Sequence, residues 1–207
     1  MNTSEVTEVF KKIANKISDE KLFLTELDNI IGDGDHGINL SRGFDEVLIK
    51  LASASFATPA DIFKAVGMVL ISKVGGAAGP LYGTAFMNMG KALSGKEEIN
   101  ISDFIDALKS GIDGVAMRGK STAGEKTMLD AMYPAHSAMT NALSSGNDAS
   151  AILGEGVKAA FEGVEYTKSI AATKGRASYV GERSIGHQDP GATSFAMMLE
   201  CVKEAVS

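Results

Sequence analysis

The sequence predicts an all-α fold of about eight helices, on three observations. Apolar residues recur at helical spacing along most of the chain, glycine-rich breaks separate those stretches, and alternating strand-like runs with hairpin turns are scarce. Val6, Val9, Phe10, Ile13 and Ile17 form the stripe of a first helix. A second helical segment covers 37–51. The next opens at Thr58, with Pro59 in its first turn and Asp61 three residues past the cap, and carries Ile62, Val66, Val69, Leu70 and Val74. A segment over 80–93 follows, then one bearing Phe104, Ile105, Leu108 and Ile112, and another over 127–145. Leu153, Val157, Ala160, Phe161 and Val164 mark a further helix. The last follows "DPG" with Phe195, Met198, Leu199, Val202 and Val206. The glycine-rich interruptions are 31–37, 75–79 and 173–191, and "RGKSTAGEK" at 118–126 is a fourth.

At 207 residues and 44% hydrophobic, the chain can bury a core as one domain, 1–207. A formal charge of −6 argues against nucleic acid as partner, since such binders present a basic face. The lone cysteine, Cys201, has no intramolecular partner and sits in an apolar run, where a buried thiol is expected. No charged leader precedes an apolar stretch, and no apolar run is long enough to span a bilayer. The expectation is a soluble, cytoplasmic protein with no membrane partner.

"IGDGDHG", residues 31–37, gathers like charges where the backbone is most pliable. Asp28, Asp33 and Asp35 converge if the glycines let the loop curl. Two unpaired charges about 4 Å apart cost roughly 4 kcal/mol at an effective dielectric near 20, so convergence implies a cation. An all-oxygen set favours magnesium, manganese or calcium over zinc. An EF-hand fails, because counting from Asp33 puts Phe44 at the twelfth position, where a bidentate Glu is required. Magnesium completed by phosphate oxygens stands against a plain surface turn in which the aspartates cap helices. Beside such a site His36 donates to a phosphate oxygen. The alternative is local packing.

"GVAMRGKS", 114–121, matches the P-loop pattern by letter, but an amphipathic helix precedes it where a buried strand is needed. The match is rejected. "KVGGAAGPLYGT", 73–84, lets backbone N–H groups approach an anion at a helix start, or simply packs closely. The stretch 172–194 carries Lys174, Arg176 and Arg183 in a loop too long for a mere connection, and its basic groups suit phosphate. His136 and His187 are expected to be structural or exposed.

Taken together, "LDNIIGDGDHGINLSRGF", "VGGAAGPLYGT", "RGKSTAGEKTM" and "KGRASYVGERSIGHQDPGATS" resemble, in order, the nucleotide-binding L-subunit family of bacterial dihydroxyacetone kinases. The resemblance implies a barrel of eight antiparallel helices with the nucleotide at one end. It implies that Asp28, Asp33 and Asp35 hold two Mg2+ ions that bridge to phosphates. It implies nucleotide contacts from His36, Gly37, Ile38 and Asn39, from Ala77 and Ala78, from Gly119 and Met128, and from Arg176 and the Asp189-Pro190-Gly191 turn. The family pattern reads Gly-Gly-Ala-Ser-Gly, and Ala78 stands where the serine falls, so a hydroxyl contact is lost while backbone donors stay. The resemblance further implies ADP as a resident cofactor, ATP in the phosphorylated state. A phosphohistidine protein of the sugar phosphotransferase system would be the donor, and dihydroxyacetone would be held on a partner subunit. Fatty-acid kinases, with extra domains, and a nucleotide-binding regulator of a transcription factor are the rival readings. A homodimer stays open.

Overall fold

A computed structural model describes residues 1–206. Among them nine α-helices follow one another: α1 (Thr3–Asp19), α2 (Lys21–Ile31), α3 (His36–Ser53), α4 (Pro59–Lys73), α5 (Ala78–Ala92), α6 (Ile101–Gly119), α7 (Leu129–Ser144), α8 (Ala149–Thr167) and α9 (Pro190–Val206). Two single 3-10 turns, Arg176–Tyr179 and Gly181–Ser184, lie in the long connection before α9. No strand occurs among the described residues.

Eight of the helices close a ring. Each of α3 to α8 packs on its successor, α1 packs on α3, and α9 returns to α1. The starts of α3, α5, α7 and α9 line one cavity. Met1, Ile101 and Ala149, at the starts of α1, α6 and α8, instead share a groove with Val206 at the end of α9. Short links place α4 in the same alternation, so every neighbouring pair runs antiparallel. The all-α class and the eight helices of the ring are as expected. The additional helix is α2, which lies outside the ring and packs on α3 and α9. Its start has no side-chain cap, and Glu20 serves at once as its N-cap and as the C-cap of α1. With no punctuation, two helices read as one stretch and a loop.

Caps differ between the two ends. Helices starting away from the cavity carry the expected side-chain N-caps: Asn2, Thr58 and Asn100 form capping boxes, and Asp148 accepts from Ala151 N–H. The N-cap residues of α3, α5 and α7 make no such bond. At α5, where no side chain stands in, backbone donors are thereby left for another acceptor.

The barrel interior is apolar. Phe10 meets Phe63 and Phe86 edge-on, with ring centroids 5.2 and 5.3 Å apart. Cys201 is buried there, and burial pushes its thiol up to about 11, so it is an unreactive core residue. No described helix is long and apolar enough to cross a membrane. The rejected P-loop match is helical through Gly119, and Lys120 ends α6 in the left-handed region at φ 48°. A helix stops where a P-loop would begin one.

Candidate functional site

A cavity of about 400 Å³ opens at the end of the barrel where four helices start. Helix starts carry partial positive charge and free N–H groups, so this end favours an anion.

Three carboxylates stand at its edge. Asp28 lies in the last turn of α2, just upstream of the glycine-rich loop. Its Oδ2 accepts from the N–H groups of Asp35 (2.9 Å) and His36 (3.1 Å). Asp28 thus caps α3 from outside, and the carboxylate of Asp35, the formal N-cap residue, is free to turn to the cavity. Gly34, at φ 71°, supplies the left-handed turn that brings Asp33 alongside. One oxygen from each of Asp28, Asp33 and Asp35 lies within 4.8 Å of the others. The cation paired with this cluster is Arg176, whose Nε lies 3.1 Å from Asp33 Oδ2, and both side chains are solvent-facing. Such a pair contributes little, which leaves most of the carboxylate repulsion uncompensated. An oxygen-only set with one Asp28 oxygen unclaimed by hydrogen bonds fits a hard divalent cation of the magnesium type.

A buried cation secures the floor. Lys126 is 1% exposed, and its ammonium donates to the carbonyl oxygens of Thr167, Ile170 and His187. It therefore ties the end of α8 and the long loop to the start of α7, and offsets the negative end of α8. Asp130 holds the same turn by accepting from the N–H groups of Gly124 and Thr127. Lys126→Met leaves three inward carbonyls without their donor, and a loss of about 3 kcal/mol is expected by chemical denaturation.

Asp189 caps α9, with Oδ2 accepting from Ala192 N–H at 2.7 Å. Burial pushes its carboxyl from 3.8 up to about 7, against the pull of that N–H and of Lys126. A raised acid holds its proton longer in the folded state, so its contribution is full below pH ~4 and is lost as pH rises through ~7. In ligand-free protein, unfolding titrations should show wild type losing stability relative to Asp189→Asn across that window.

His36 is also at the wall. Burial lowers its imidazole to about 4, against the pull of Asp28, so the ring is neutral near pH 7. Nε2 lies 3.0 Å from Ser194 Oγ, and Ser194 lies 2.7 Å from the Tyr82 hydroxyl.

Asp28, Asp33, Asp35, His36, Ala77, Ala78, Met128, Arg176, Asp189, Pro190 and Gly191 all line the cavity. Gly119 lines an adjoining chamber of about 340 Å³ with Val115, Leu81 and Met128, an apolar slot suited to a flat base. Gly37, Ile38 and Asn39 are placed differently. Gly37 abuts the backbone of α2, Ile38 is 51% exposed, and Asn39 Oδ1 accepts from Arg42 at 2.8 Å. Lys126, Thr127, Ser194 and Tyr82 were not picked out from sequence, although all four lie inside or beside the quoted motifs.

The fold and site define a class: a helical barrel whose open end gathers carboxylates and helix starts round one cavity, suited to a polyanion held through divalent metal. The DAK2 domain matches residues 30–204, and the chain belongs to that family. It is similar to the ADP-binding subunit DhaL of PEP-dependent dihydroxyacetone kinase 1 of Listeria innocua, at 46% identity over 187 residues, 90% of this chain and 88% of that one. It is similar also to the ADP-binding subunit DhaL of the PTS-dependent dihydroxyacetone kinase of Lactococcus lactis, at 44% identity, covering 95% and 94% of the two chains. Its fold matches the crystal structure of the dihydroxyacetone kinase from C. freundii in complex with AMP-PNP and Mg2+, at TM-score 0.76 and 25% identity. The match covers 99% of this chain and 34% of that one, so the present chain spans about a third of that kinase.

Proposed function

We propose that this chain is the ADP-binding subunit of a cytoplasmic, phosphotransferase-system-dependent dihydroxyacetone kinase. ADP and two Mg2+ ions occupy the cavity. A phosphohistidine protein converts the bound ADP to ATP, and the γ-phosphoryl group passes to dihydroxyacetone held on a partner subunit. The observation that carries this reading is the convergence of Asp28, Asp33 and Asp35 at the mouth of a cavity lined by four helix starts.

Magnesium held by these three residues would neutralise phosphate charge and polarise the transferring phosphoryl group. The chain's own groups do the rest. Uncapped N–H groups at the start of α5 orient phosphate oxygens, and Arg176 leaves Asp33 to join them. Leu81, Val115 and Met128 enclose the base and exclude water from its faces. No side chain at the site is needed as a nucleophile, because phosphoryl transfer rests on positioning and charge.

The terminal phosphoryl group must be reached twice, by donor and by acceptor, through one opening. Exposed large apolar side chains occur in the helix ends and loops of this end of the barrel: Ile38, Ile71, Met117, Tyr166, Tyr179 and Ile185. That rim supports a covering protein, and we assign it to the ketone-holding subunit, which the donor then displaces from the same mouth. The test is reconstitution. Purified chain, ketone-holding subunit and phosphorylated donor should convert dihydroxyacetone to its phosphate without free ATP, and an excess of ketone-holding subunit should slow loading by the donor. No transfer from the phosphohistidine donor, with turnover on free ATP instead, would contradict the reading.

A further inference from the structure

A buried polar chain ends on His36. Its Nε2 lies 3.0 Å from Ser194 Oγ, and Ser194 Oγ lies 2.7 Å from Tyr82 Oη. Both hydroxyl oxygens lie 3.1 Å from the carbonyl oxygen of Gly191. Ser194 and Tyr82 are 0% and 1% exposed, so no water completes the set from outside. Each hydroxyl owns one proton, and the carbonyl can only accept. If Ser194 gives its proton to Nε2, Tyr82 has a single proton for either Ser194 or Gly191, and the other contact goes unmade. If Nε2 carries the proton, the bonds run one way: Nε2–H to Ser194, Ser194 to Tyr82, Tyr82 to Gly191. The second arrangement makes three bonds where the first makes two, in a place where each unmade bond is costly.

We propose that Ser194 and Tyr82 are positioning residues that hold His36 as the Nε2–H tautomer, so that its imidazole offers the Nδ1 lone pair to the cavity. Nδ1 has no protein partner. It is not sealed in either, since among the described residues Thr25 Oγ1 is the buried side-chain polar atom without a partner. His36 lines the cavity. The ring therefore accepts from a hydroxyl, amine or water donor on the ligand side, and phosphoryl oxygens fall to the helix N–H groups and Arg176. This reverses the donor role that the sequence suggested for His36. What faces Nδ1 rests on the nucleotide reading, whereas the tautomer itself does not.

Long-range 1H–15N correlation spectra of the 15N-labelled full chain read the tautomer directly. There are three histidines, and His136→Gln and His187→Gln variants assign the remaining signals. The expected result is a protonated Nε2 and an unprotonated Nδ1 on His36, without added ligand and with magnesium and ADP. In Ser194→Ala the Nε2 proton loses its acceptor, so the spectrum should move to a mixture of tautomers and ADP should dissociate about tenfold faster. A proton on Nδ1 of the wild-type ring, or a Ser194→Ala spectrum identical to wild type, would overturn the proposal. The wild-type spectrum decides the tautomer whether or not the variant folds. A correct tautomer in a protein that fails to retain ADP would sink the nucleotide reading and leave this inference standing.

Discussion

Asp33→Asn and Asp35→Asn each weaken retention of magnesium-ADP by on the order of 100-fold, about 2.8 kcal/mol, while the thermal unfolding midpoint stays within a degree or two of wild type. Each substitution removes one charge from a three-carboxylate cluster and keeps the shape of the side chain. The folded state depends little on either group. Asp33 pairs only across a solvent-facing ion pair with Arg176, and Asp35 contributes its backbone N–H, not its carboxylate, to the start of α3. Asp28 behaves differently because it has two tasks. Asp28→Ala also deprives the N–H groups of Asp35 and His36 of their acceptor, at a cost of about 1 kcal/mol. Isothermal titration of stripped protein, beside a melting curve for each variant, separates the two effects. Unchanged ADP affinity in both Asn variants would remove the metal assignment.

Gly37→Ala lowers stability by about 3 kcal/mol and releases nucleotide at temperatures where the protein is still folded. A Cβ at this position would lie 2.0 Å from the carbonyl oxygen of Lys21 and 2.8 Å from the amide nitrogen of Thr25. Both are backbone atoms of α2, so no side chain can swing away. Helix α2 must retreat from α3, and Asp28 retreats with it. The loss of binding then follows from geometry rather than from charge, and it should persist in a crystal or solution structure as a widened Asp28–Asp35 separation. A Gly37→Ala protein with wild-type stability would show that α2 yields more easily than this contact implies.

The helices were legible because their apolar faces repeat at helical spacing and because several announce their starts. Thr58 and Asp61 form the capping box that their spacing implies, with Pro59 at the first helical position. Helix α2 was not legible, since Glu20 closes one helix and opens the next without a side-chain cap. The missing cap at α5 carries functional information of its own, because its N-cap residue is Ala77 and its first N–H groups have no side-chain acceptor. The acidic cluster could be anticipated from glycines between like charges. Its construction could not, because Asp28 reaches Asp35 and His36 from a separate helix.

Lys126 marks the limit of local reading. A lysine after a glutamate in a glycine-containing loop reads as solvated, and the three carbonyls that hold it come from residues 41 to 61 positions downstream. Nothing near Lys126 in the chain announces them. Ser194 and Tyr82 stand in the same position: ordinary residues of a helix first turn and a helix face, 112 residues apart, whose role appears only when α5, α9 and α3 meet.

The central claim is that this barrel end keeps ADP as a resident group held through metal. Native mass spectrometry of the protein, purified and desalted with no nucleotide added, tests it most directly, followed by acid release and identification of what was bound. The account predicts a mass excess equal to one ADP and two magnesium ions, with ADP in the acid supernatant. A bare polypeptide mass, with ATP binding and exchanging freely on addition, would contradict it.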